Sequence, residues 1–147
     1  MSDIDRIMWL IDWNRSESEQ QTGISLARDI SCINAFFRPI GQGYSKSVWD
    51  NCAIIIAERS DEELAPYISD MLLWLEDLNW PGAEIIQNRL IQFRDVEILS
   101  LHINEIVPVL QTLKRDSWLI FIAELLQNKD LKKALNEEVV QSLSEYL

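Results

Sequence analysis

His102 is the one histidine of this chain, and it stands in Leu101-His102-Ile103-Asn104 without a serine–histidine–acid or cysteine–histidine pattern beside it. A general base needs a nucleophile or an orienting group within hydrogen-bond reach, so the sequence nominates no catalytic residue. Asp and Glu total 24. Acids from separate helices can converge on a hydrolytic site, but abundance alone does not pair them, and no stretch follows the oxygen-ligand loop of a calcium site. No metal and no cofactor is expected. Gly41-Gln42-Gly43 is too short for a phosphate-binding glycine loop and reads as a turn. Cys32 and Cys52 fall in apolar helical runs, too widely spaced for a zinc site, and are expected as buried free thiols.

The six tryptophans carry more information. Trp49 and Trp118 open two runs that are apolar around most of a helix, Ser47 to Arg59 and Ser117 to Gln127, and such helices are central. Trp13 and Trp80 follow Asp12 and Asn79 beside helix ends, where a ring either staples a corner or shows an edge to a partner. The formal charge is −11, from 13 basic and 24 acidic residues, which argues against direct nucleic-acid binding and favours a basic partner. Met1 leads into Ser2-Asp3-Ile4-Asp5-Arg6 rather than a basic and then apolar leader, and no apolar run approaches ~18 residues. A soluble, cytoplasmic protein is expected, with no membrane partner.

The positioning elements are helices. From Ser60 to Leu78, Leu64, Ile68, Met71, Leu72, Leu75 and Leu78 fall at helical spacing. Ser60 to Glu63 reads as a capping box, and Pro66 marks either the first turn or a short turn before the main helix. Asn79 is expected to cap the next helix with Pro81 in its first turn, and Gly82 leaves room where two helices cross. Ala83, Ile86, Leu90 and Phe93 continue that helix. Ser16 to Ile30 opens on a second capping box, Arg38 to Ser47 reads as a loop, and Val96 to Leu113 reads as a helix bent or divided at Pro108. Asn136 is expected to cap a last helix carrying Val139, Val140, Leu143 and Leu147. No run alternates as a strand would.

Three short strings recur in order. Trp9-Leu10-Ile11-Asp12 returns as Trp74-Leu75-Glu76-Asp77, Arg28-Asp29 as Arg94-Asp95, and Ile56-Ala57-Glu58 as Ile122-Ala123-Glu124. The recurrence predicts one all-α domain over residues 1–147, built by internal duplication with candidate units 1–66 and 67–147. Helical hairpins of ~30–40 residues would stack as a short HEAT-like solenoid, against the alternative of an irregular bundle.

The stretch LAPYISDMLLWLEDLNWPGAEIIQNRL, preceded by VWDNCAIIIAERSDEEL, resembles a bacterial family of HEAT-like helical domains marked by a W-L-x-D-x-N-W-P-x-A corner. The likeness covers about Ser47 to Leu126; the first 45 residues depart from it. Such families look like immunity proteins encoded with polymorphic or contact-dependent toxins. The resemblance therefore implies binding and occlusion of a cognate toxin domain, with a basic nuclease, an RNase, as the natural partner, and no enzymatic activity. The expected contact edge carries Asp12, Trp13, Asp77, Trp80, Glu84 and Asp116. Each also has a structural use: Asp12 and Asp77 as caps or bridges, Glu84 against a helix dipole, Asp116 as an N-cap. A helical scaffold for an endogenous protein and, more remotely, a carboxylate-dependent hydrolase are the alternatives.

Overall fold

Side-chain caps decide where several helices begin. Ser2 accepts the Asp5 N–H and starts α1 (Asp3–Ile11). Ser16 accepts the Glu19 N–H at 3.1 Å while Glu19 takes the Ser16 N–H at 3.3 Å, so the expected capping box starts α2 (Glu17–Ala27). A 3₁₀ turn (Lys46–Val48) leads into α3 (Trp49–Ala57). Ser60 accepts the Glu63 N–H ahead of α4 (Asp61–Leu64), and Asp95 accepts the Ile98 N–H ahead of α7 (Val96–Thr112). Between them lie α5 (Ile68–Trp74) and α6 (Ala83–Ile91); α8 (Asp116–Ala123), α9 (Lys129–Ala134) and α10 (Glu137–Ser144) complete the order. The computed structural model describes residues 2–39, 41 and 43–147, all-helical with no strand among them. Ile40 and Gln42, in the expected loop and its Gly41-Gln42-Gly43 turn, lie outside that set, as does Met1.

Several boundaries differ from the sequence reading. Pro66 sits in a 3₁₀ turn (Ala65–Tyr67), which divides the expected Ser60–Leu78 helix into α4 and α5, because proline has no N–H to continue an α ladder. Asn79 caps nothing: its N–H is held by the Asp77 carboxylate at 2.9 Å, and the chain turns until Gly82, at φ 84, precedes α6. Pro81 stands outside the helix and offers its carbonyl to Trp74 Nε1 at 3.0 Å. Pro108, conversely, does not divide α7; it faces solvent, where water can serve the carbonyl its missing amide leaves. Asn136 occupies the N-cap position of α10 without a side-chain bond, and Leu147 is 72% exposed. Cys32 is exposed outside any helix, whereas Cys52 is buried in α3 and its thiol is pushed up to about 12 by burial.

The helices form a row. At their starts, Asn51 of α3 donates to Gln20 of α2 at 2.9 Å; at their ends, Arg59 donates to the Ala27 and Ile30 carbonyls at 2.7 and 2.8 Å. Start meets start and end meets end, so α2 and α3 run side by side in one direction. Gly82 adjoins the Trp49 carbonyl while Arg89 reaches the Ala57 and Arg59 carbonyls, which sets α6 along α3 in the same way. Gln87 to Phe121 and Asn128 to Phe93 then set α8 along α6. Against this row pack α1 on α2, α5 on α6 and α7 on α8.

Among the described residues, side-chain hydrogen bonds are either local or span 28 to 46 residues, from Arg89–Asp61 to Trp118–Leu72, and nothing reaches farther along the chain. No side-chain hydrogen bond among the described residues therefore joins the first helices to the last. The order α1, α2, α3, starting at residues 3, 17 and 49, returns as α5, α6, α8, starting at 68, 83 and 116. Where the second set has α7, the first has the segment from 28 to 48. One apolar cluster runs through the row from Ile7 to Leu143, with Trp74, Phe36 and Phe93 its largest fully buried side chains.

Candidate binding edge

The parallel row brings helix starts to one edge, and the connections leading into them carry its polar and aromatic groups. Asp12 closes α1. Its carboxylate accepts the Asn14 N–H at 2.8 Å and the Ser47 hydroxyl at 2.7 Å, and the Trp13 N–H donates to the Ser47 carbonyl at 3.0 Å. Partial burial acts to raise the Asp12 carboxyl, but the bonds from Ser47 and Asn14 outweigh it and hold the group below the ordinary carboxylate value. Asp12 is thus an ionised brace between the first connection and the start of α3. That brace leaves the Trp13 ring standing 48% exposed.

Ser47 leads directly to Trp49, which is buried with its ring edge-on to Trp74 at 6.1 Å and to Trp80 at 5.8 Å. Lys46 lies 5.7 Å from the same ring. Trp80 is half-buried, and a shallow pocket beside it is lined by Asp50, Leu78, Pro81 and the exposed Glu84 in the first turn of α6. The corner closes because Gly82 has no side chain: a Cβ there would meet Ala53 Cβ at 2.7 Å and the Trp49 carbonyl at 2.8 Å. Gly82 thus serves the close crossing read from the sequence.

Of the six expected contact residues, Asp12, Trp13 and Trp80 are linked through the Ser47–Trp49 segment, and Glu84 shares a pocket with Trp80. Asp77 is half-buried and occupied in the Asn79 turn. Asp116 is exposed as the first residue of α8, one place inside the expected cap, since the N-cap position belongs to Arg115. It accepts the Tyr146 hydroxyl at 3.1 Å and borders a second shallow pocket with Glu76 and Arg115, which pair at 3.8 Å. The acids at helix starts, Glu17, Glu19, Asp50, Glu84 and Asp116, also complement the positive ends of the helix dipoles.

Two features escaped the sequence reading. Trp9, whose string recurs around the buried Trp74, is 49% exposed, with the Arg15 guanidinium 3.4 Å over its ring. Ser69 and His102 also meet, Oγ to Nδ1 at 3.2 Å on an exposed face. No carboxylate bonds that imidazole among the described residues, so the pair lacks the orienting third group of a triad. Nor do three His, Cys, Asp or Glu side chains converge there as metal ligands would. What the edge offers is aromatic faces and carboxylates, a chemistry of contact.

Residues 46–146 match a family described as "Domain of unknown function (DUF5071)". The chain belongs to this family. The matched span takes in α3 to α10, hence Trp49, Trp80, Glu84 and Asp116, and starts after Asp12 and Trp13. No curated protein and no solved structure matches the chain.

Proposed function

We propose that this protein is an immunity protein, a short HEAT-like solenoid that binds a cognate bacterial toxin domain, a basic nuclease, in the cytoplasm and blocks it by covering its active surface. The observation that carries this reading is the −11 charge on a chain whose exposed edge joins tryptophan rings to carboxylates. A domain that grips RNA must display positive surface. Long-range attraction would speed encounter, and a few desolvated aromatic groups would set how slowly the complex parts. The solenoid reading is supported by the 28–46-residue span of the non-local hydrogen bonds, as expected when each unit touches only its neighbours. No helix is long and apolar enough to cross a membrane.

Inhibition on this account needs no bond chemistry. The reading expects a nuclease-toxin domain encoded immediately upstream, and the test is co-expression with that domain, following growth and RNA integrity. Protection is the expected outcome, with the two proteins eluting together in gel filtration; unchanged killing and separate elution would overturn the proposal.

A further inference from the structure

An open row has two ends, and the grooves at the two ends of this one differ in the sign of the charges that line them. At the first, Asp3, Arg6 and Ile7 of α1 and Leu26, Asp29 and Ile30 at the close of α2 line a groove with an apolar floor, two carboxylates and one guanidinium. At the last, Lys129, Lys132 and Lys133 of α9 face Glu137, Val140 and Gln141 of α10 across a groove that includes Leu135. Those three are most of the chain's lysines, which otherwise number only Lys46 and Lys114. None forms an ion pair among the described residues, whereas Arg15, Arg28, Arg59, Arg89 and Arg115 all do. In an acidic chain, unpaired lysines gathered around an apolar strip are complementary to an acidic apolar surface.

The opposite end of the same molecule is such a surface. We propose that the lysine groove of one copy receives the α1–α2 end of a second copy, so that rows join head to tail. The half-buried Leu26, Ile30 and Val140 are what a further unit of the row would cover, and the charges fix which end meets which. Because the two patches differ, the contact is heterologous: it leaves a patch open at each end and adds copies until a ring closes or a filament grows. At physiological ionic strength the mutual repulsion of acidic chains is screened beyond ~8 Å while the short contacts persist. The inference uses the ends of the row and stands apart from the immunity reading, which uses its edge.

The test is sedimentation of the full chain at physiological salt over a wide concentration range, with two charge-reversed variants: Lys132→Glu with Lys133→Glu, and Asp3→Lys with Asp29→Lys. All four positions are exposed, so circular dichroism should report unchanged folds. The expected wild-type result is a mass climbing above the 17.1 kDa of one chain as concentration rises. Each variant alone should stay at one chain's mass, and an equimolar mixture of the two should associate again, because reversed tail then meets reversed head. A wild type that stays at one chain's mass throughout, a variant that associates as the wild type does, or a mixture that fails to associate would overturn the proposal. A mass that shifts only on adding a glutamate- and leucine-rich peptide would overturn it too, assigning the lysine groove to a segment of another protein.

Discussion

The first helices of the row and their later counterparts repeat one order but are secured differently. In α2, Gly23 lets α1 ride close, since a Cβ there would lie 2.5 Å from Ile11 Cγ2. At the corresponding place in α6 stands Arg89, which reaches the Ala57 and Arg59 carbonyls and Asp61. The tryptophans divide the same way: Trp9 is 49% exposed and Trp74 is fully buried. Both precede a leucine and close a helix at an Asp-centred turn, so motif alone does not decide burial. Position in the row does. Trp74 lies between Trp49 and the α6 corner, whereas Trp9 stands at an end with only Arg15 over it.

The sharpest way to break that comparison is to truncate both rings and measure urea unfolding. Trp74→Ala should cost ~3–5 kcal/mol, as a buried aromatic truncation does, and Trp9→Ala under ~1 kcal/mol. Equal losses would mean that the two units share one environment. Arg89→Ala should follow at ~3 kcal/mol, because it leaves Asp61 and the last carbonyls of α3 without their buried cation. The exposed-side pair is the control: Arg15→Ala should change stability by less than ~1 kcal/mol. Gly82→Ala should cost ~2 kcal/mol through its left-handed φ of 84 and the crowding against Ala53, read as a shift of the unfolding midpoint.

The paired turns give smaller effects. Asp12→Ala should cost ~1–2 kcal/mol, since it loses Ser47 as well as the Asn14 amide, and Asp77→Ala ~0.5–1 kcal/mol for the Asn79 bond alone. Acid titration sharpens the Arg89 clamp. Burial acts to raise the Asp61 carboxyl, but Arg89 and the Arg94 and Asp95 amides outweigh it and hold it below its ordinary 3.8. A depressed native value means that the stabilisation is full above 3.8 and is lost as pH falls through the native value. Asp61→Asn should flatten that limb of the stability profile. Asp70, raised by burial alone, has the opposite sign: its ionisation weakens the fold as pH rises through its native value, and Asp70→Asn should remove that loss.

Local chemistry was legible in the sequence where one residue type answers one need. The Ser16–Glu19 box, the close crossing at Gly82 and the buried Ile86, Leu90 and Phe93 follow from cap rules, size and spacing. The start of α6 was not, because Asp77 and Asn79 compete for one turn and spacing does not say which side chain takes the amide. Lys129–Ala134 gave little apolar periodicity, yet Asn128 caps it by accepting the Leu131 N–H and anchors it on the Phe93 carbonyl. The exposure of Trp9 and the meeting of Ser69 with His102 depend on which helices neighbour which, and that is settled only by stacking. At the edge, residue types were readable while their grouping around Ser47 and Trp49 was not.

The central proposal is that the edge grouped around Ser47 and Trp49, on which Trp13 stands exposed, grips a basic nuclease domain. Calorimetric titration of the toxin domain that the proposal expects into the wild type, Trp13→Ala and Leu101→Ala tests it most directly. Leu101 is the control, 67% exposed on α7 and away from the edge. The account predicts a one-to-one complex that Trp13→Ala weakens by ~10-fold or more and Leu101→Ala leaves unchanged. No binding by the wild type, or equal binding by all three proteins, would contradict it.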